Sequence, residues 1–378
     1  MSSAARGPNR QVGPVGPVGL VDHHCHQLAL GDLDRNGFEC LLNEAAAPSP
    51  LGTTLFDSML GLAIRRWCAP VLDLEPHVSA EAYLDRRREL GVEASRRLLA
   101  AAGVSTYLVD TGVRDERLCS RAELAALAGG TAYEVIRLET AAENLLAQGT
   151  APSDLPGAVT ALLASSDAVA AKSVAAYRAG LDLPDRPPSD ADVSRALGRL
   201  RPTAEGQWRI AHPVINGWLA WTAIRARLPL QIHVGYGDSD LDLHRADPLL
   251  LTAFLRATQS HGVPIMLLHN YPYQRQAGYL AQVFDQVFCD VGLAVHNVGA
   301  FAPRVIAELL EVAPFGKVLF STDAYGLAEL YHLGSLLFRR GLARVLEQLI
   351  TADELNGADA ERITAMISSG NARRVYGV

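Results

Sequence analysis

Cysteine is scarce and scattered: Cys25, Cys40, Cys68, Cys119 and Cys289 are odd in number and form no CxxC pair. That excludes a disulfide framework or a cysteine zinc site and fits a reduced, cytoplasmic compartment. Basic residues are outnumbered, 34 Lys and Arg against 41 Asp and Glu for a net charge of -7, so nucleic acid and anionic membrane surfaces are not expected partners. No apolar run reaches the length of a membrane span. The start lacks the continuous apolar segment of a secretory signal. Residues 1–18, with Val12-Gly13-Pro14-Val15-Gly16-Pro17-Val18, read instead as a flexible N-terminal arm. What is present, 49% hydrophobic residues in a chain of 378, fills a sizeable core.

From residue 19 onward the pattern is that of an α/β chain. Short apolar runs such as Ile265-Met266-Leu267-Leu268 alternate with helical segments, as a parallel sheet covered on both faces requires. The strands are expected at about Leu20, Val104–Val109, Tyr133–Leu138, Ala168–Val174, Leu230–Val234, Pro264–Leu268, Val287–Val291 and Val318–Ser321. Eight such units predict a (β/α)8 TIM barrel over residues 19–378, with chemistry at the C-terminal ends of its strands. Two helical insertions, 27–102 and 184–227, are too long to be simple connections and are expected to cap the barrel mouth. In the first, Tyr83 to Ala102 reads as one long helix.

The opening strand carries Val21-Asp22-His23-His24-Cys25-His26. Strand alternation puts Asp22, His24 and His26 on one face and His23 and Cys25 on the other. Two imidazoles two apart at a strand end can bind one divalent ion from one side. Alone, the hexapeptide is also compatible with a chance polar cluster; the residues downstream argue otherwise. Lys172, His233, His269 and Asp323 all fall at the ends of expected strands. A lone His after an apolar run, or an Asp before a helix, is ordinarily structural, but a random scatter would rarely place them all there.

These residues carry a resemblance to the amidohydrolase superfamily, covering the chain from about Leu20 onward. Asp22-x-His24-x-His26, Gln231-Ile232-His233, Leu267-Leu268-His269, Ser321-Thr322-Asp323 and the closing Gly370-Asn371-Ala372-Arg373-Arg374-Val375-Tyr376 are its marks. The phrases around Lys172, His233-Val234-Gly235-Tyr236-Gly237-Asp238 and His269-Asn270-Tyr271-Pro272-Tyr273 are more narrowly similar to the amidohydrolase domain fused to glutamine-synthetase-like domains in fungi and plants. No synthetase half is expected within these 378 residues.

The resemblance implies that His24, His26, His233 and Asp323 hold a divalent metal, with zinc expected, and that Asp323 handles the protons of an activated water. His269 either binds a second metal or donates to the substrate oxygen. Lys172 is either a carboxylated bridge between two metals or, with one metal, an ammonium for a substrate carboxylate; the second Lys172 role is preferred because Arg178 adds a cation suited to gripping carboxylates. Glu44, Asp238 and Tyr273 are further candidates for substrate binding, although a Glu in a turn or an acidic loop is more often simply solvated. Tyr271, Arg275, Tyr325 and Glu329 are weaker candidates for the pocket border. His212, His261, His296 and His332 are left as structural or solvent-exposed. The expected function is hydrolysis of a C–N bond in a small acidic substrate such as a γ-glutamyl amide. The alternatives are a decarboxylase, lactonase or isomerase on the same metal barrel, or a non-catalytic binding module. Apolar helical faces are compatible with a homodimer.

Overall fold

The computed structural model describes residues 19–45 and 50–378, so the expected arm at 1–18 lies outside the described residues. Seven parallel strands, β1 (Leu20–Cys25), β2 (Val104–Asp110), β3 (Thr131–Arg137), β4 (Ala170–Ser173), β5 (Leu230–Val234), β6 (Ile265–His269) and β7 (Val287–Cys289), pair in sequence order. Residues 318–321, expected as the eighth strand, adopt no regular strand yet occupy its place. Val318 bridges Cys289 in parallel, and the Leu319 N–H donates to the Cys289 carbonyl at 3.0 Å. On the other side His23 N–H donates to the Phe320 carbonyl at 3.1 Å and Asp323 N–H to the His24 carbonyl at 3.0 Å. The ring of the (β/α)8 TIM barrel is thereby closed. The irregularity has a local cause: the buried Asp22 carboxylate accepts from the Thr322 N–H at 2.9 Å and its hydroxyl at 2.5 Å, so a side chain stands in for ladder bonds.

β1 slips in register against β2 between Asp22 and Cys25. Strict alternation therefore fails, and Asp22 is spent on Thr322 rather than sharing a metal face with His24 and His26.

Two apolar layers hold the fold. One lies between the strands and the surrounding helices. The other fills the barrel interior, where Val21, Leu108, Val135, Met266 and Leu319 meet Tyr376 from the helix Asn371–Tyr376. The expected single helix over Tyr83–Ala102 is two, Ala80–Leu90 and Val92–Ala102, because Gly91 adopts φ 55° and ends the first. Ser79 caps the first of these by accepting from Ala82 N–H. Neither insertion is wholly a cap. Val92–Ala102 packs on the long helix Ala328–Thr351, and Pro213–Arg225 packs on β4 and β5, so each supplies a helix of the barrel's own outer layer. Among the described residues, no helix is long and apolar enough to cross a membrane.

Candidate metal centre

The C-terminal strand ends deliver their polar residues to one place. β1 supplies His24 and, just beyond it, His26; β4 supplies Lys172, β5 His233, β6 His269, and the closing segment Asp323. Nε2 of His24 and of His26 lie 3.0 and 3.3 Å from Oδ1 of Asp323, and Nδ1 of His269 lies 3.4 Å from its Oδ2. His269, Asn270 and Asp323 hold positive φ of 69°, 58° and 51°, a left-handed backbone that is uncommon outside glycine and marks strain at working sites.

Burial dominates the electrostatics. It pushes the His24 imidazole down to about 4, helped by the Lys172 charge, and holds His233 and His269 well below their ordinary value. Burial works to raise Asp323, but His269, His24 and His26 outweigh it and hold the carboxyl well below the usual range. Neutral imidazoles around an ionised carboxylate are the protonation states a metal requires. The donor set also fits a metal on its unmet bonds: both ring nitrogens of His269 and Asp323 Oδ1 are buried with no hydrogen-bond partner among the described residues. Ligand atoms of His24, His269 and Asp323 lie within 4.8 Å of one another, as do those of His24, His26 and Asp110. Asp110 is already taken, because its carboxylate accepts Arg137 Nε and Nη2 at 3.0 and 2.8 Å.

Of the expected ligands, the structure brings together His24, His26 and Asp323, and adds His269 to them. His233 sits beside His269, with ring centroids 4.6 Å apart, and its Nε2 faces Gly237, where an added Cβ would come within 3.0 Å. Lys172, almost fully buried, places Nζ 3.1 Å from Nε2 of His24, and burial lowers its ammonium to about 8.

Above the centre opens a cavity of about 520 Å³ bordered by Lys172, Arg178, Glu44, Asp238 and Tyr325. Arg178 Nη1 pairs with Glu143 at 3.3 Å but makes no hydrogen bond among the described residues. Glu44 is pushed up to about 8 by burial, then by the Asp323 and Asp238 charges. Three expectations are corrected. Tyr273 does not border the cavity, since its hydroxyl donates to the Leu243 carbonyl at 3.0 Å. Glu329 is fully buried, accepting from Tyr83 and Arg87 at 2.9 and 2.7 Å. Arg275 is spent on Glu311 at the surface.

Arg137, Arg209 and His296 also line the cavity and were not singled out from the sequence as site residues. Arg137 ends β3, so the strand-end rule could have found it. His296, 1% exposed with an unpartnered Nδ1, lies in a helix after β7 and has no spacing that signals it.

The model of the amidohydrolase family matches residues 145–378, well over half of the sequence. The chain belongs to this family. A chain from Lactobacillus casei ATCC 334, assigned provisionally as a metal-dependent hydrolase, is 28% identical and superposes with a TM-score of 0.82 over 95% of both chains. Uronate isomerase from Thermotoga maritima shares the fold, with a TM-score of 0.61 at 13% identity over 95% of this chain and 94% of that one. This amidohydrolase is also similar to protein fluG of Emericella nidulans, 29% identical over 278 residues that make up 64% of this chain and 32% of that protein. The chain thus spans about a third of the length of the curated relative it matches.

Proposed function

We propose that this amidohydrolase is a metal-dependent enzyme that hydrolyses a C–N bond in a small acidic amide carrying an amino group, of the γ-glutamyl amide class. The observation that carries the reading is a pair of ionisable groups in the cavity over the metal centre with hydrogen-bonding capacity to spare. Arg178 has a buried guanidinium nitrogen without a hydrogen bond, and no hydrogen bond to the Glu44 carboxylate is found among the described residues. A substrate carboxylate on Arg178 and an ammonium on Glu44 would satisfy both. The metal-dependent hydrolase description of the Lactobacillus casei chain supports the same reaction class. A uronate, the substrate class in the name of the Thermotoga maritima enzyme, offers a carboxylate but no cation for Glu44.

In this reading His24, His26, His269 and Asp323 would hold the ion, and their nitrogen and carboxylate atoms suit zinc. The ion supplies Lewis acidity, making water acidic enough to attack near neutral pH. Asp323, kept ionised by its histidines, accepts the proton of the attacking water and passes it to the leaving nitrogen. His233 donates to the substrate oxygen as negative charge develops there. Lys172 adds positive charge at the floor of the cavity. A second reading of that residue rests on its Nζ lying against His24 Nε2: as a carbamate, Lys172 would become a ligand between two ions. Metal content with native mass separates the two, one ion and no added carbon dioxide supporting the ammonium.

The test of the reaction is a turnover screen of zinc-loaded protein on γ-glutamyl amides, lactones and uronates. Release of ammonia or amine from the first group supports the proposal. Ketose formation from a uronate, or loss of a carboxylate, without amide hydrolysis overturns it.

A further inference from the structure

Beneath the candidate metal centre a polar network crosses the barrel interior. Tyr376 sits in the helix Asn371–Tyr376, its ring stacked on His23 with centroids 6.0 Å apart. Its hydroxyl lies 3.0 Å from Nδ1 of His23 and accepts from Nε2 of Gln231 at 2.9 Å. Gln231 Nε2 also donates to the His23 carbonyl at 2.7 Å, so both of its N–H bonds are used. The amide orientation is thereby settled, because a flipped amide would set two carbonyl oxygens against each other. Gln231 Oε1 must then face His24, and it accepts from Nδ1 at 2.8 Å. With Nδ1 carrying the proton, His24 is left with its lone pair on Nε2, the atom that faces Asp323.

The other arm runs the same way. The Tyr376 O–H donates to His23 Nδ1, His23 Nε2–H donates to Asp290 Oδ2 at 2.8 Å, and Asp290 Oδ1 accepts the backbone N–H of His269 at 2.9 Å and of Gly292 at 2.8 Å. Every donor in this chain has one acceptor, and no member of it is left unpaired. The hydroxyl is the one group that joins both arms, one ending on the His24 ring and the other on the backbone of His269.

We infer that the Tyr376 hydroxyl is a positioning group for the metal centre: through Gln231 it sets the tautomer and ring angle of His24, and through His23 and Asp290 it anchors the strained backbone at His269. The inference rests on the reading of the metal centre above. Partners that orient ligating histidines typically change metal affinity by roughly tenfold to a hundredfold when removed.

The test is zinc affinity of the full metal-depleted chain, measured by competition with a chromophoric chelator. Tyr376→Phe keeps the ring and removes only the hydroxyl; zinc is expected to bind roughly 10- to 100-fold more weakly. Tyr107→Phe is the control, since that hydroxyl is buried without a partner among the described residues and stands outside the network, so wild-type affinity is expected. Gln231→Met should also weaken zinc, and the double variant Tyr376→Phe with Gln231→Met should lose less than the sum of the two single effects, because they share the route to His24. If Tyr376→Phe does not fold, Gln231→Met reads the same chain of bonds from its other end. Wild-type affinity in Tyr376→Phe, or in Gln231→Met where the first variant fails, overturns the inference while a His24→Ala variant that loses zinc keeps the metal centre intact. A His24→Ala variant that binds zinc like the wild type would remove the metal centre and the inference together.

Discussion

His23 and His269 are both buried histidines at the ends of strands of one barrel, and they live opposite lives. Both ring nitrogens of His23 are paired, to Tyr376 and to Asp290. Both ring nitrogens of His269 lack a hydrogen-bond partner among the described residues. Leaving a polar group buried and unpaired costs about 1–3 kcal/mol, so a fold tolerates such groups chiefly where something else completes them. The difference separates a residue that holds the barrel together from one proposed to act at the metal centre. It is invisible in a hexapeptide where His23, His24 and His26 stand almost side by side.

That contrast predicts where substitutions should hurt activity and where they should hurt stability. The largest effect belongs to the unpaired set: Asp323→Asn should lower kcat by roughly 10²- to 10⁴-fold with no loss of Tm. A variant that unfolds instead would erase the distinction. On the paired side, Asp290→Ala strips the acceptor from His23 Nε2 and from two backbone N–H groups, and should destabilise by about 3 kcal/mol or more in urea unfolding. Arg178→Met tests the cavity wall: KM for the acidic amide should rise roughly 10- to 100-fold, with kcat little changed.

The smallest effect concerns Glu44, whose carboxyl burial raises from 4.5 to about 8. A raised value means the folded chain keeps a proton that the unfolded chain has released. Metal-depleted protein should therefore lose stability as pH rises from about 4.5 towards 8. Glu44→Gln should flatten that decline in a plot of Tm against pH. Parallel slopes would mean that Glu44 already has a cation to pair with.

Much of the barrel could be read from residue order. β5 was expected over Leu230 to Val234 and is found there, because a buried parallel strand writes itself as a continuous apolar run. The strand-end rule likewise brought Lys172, His233, His269 and Asp323 to one end of the barrel. The parts that escaped are those set by side chains distant in sequence. The Asp22 bond to Thr322 disturbs both β1 and the closing segment, so neither the alternation around His24 nor a regular eighth strand survives. Tyr273 and Glu329 carry family-like context, but their partners, Leu243 and Arg87, decide that they face away from the cavity. His296 reaches the cavity from a short helix with no periodic signal at all.

The closing segment also bears on how this chain is made. β1 is among the first parts of the barrel to leave the ribosome, yet one of its two edges is completed only by residues 318–323, with Asp22 and Thr322 separated by 300 positions. Until then it is an open strand edge, a template for mispairing with neighbouring chains. The candidate metal ligands of β1 thus sit beside an open strand edge for most of synthesis. Slow translation before residue 318, or scarce chaperone capacity, should therefore cost soluble yield more than any single surface substitution.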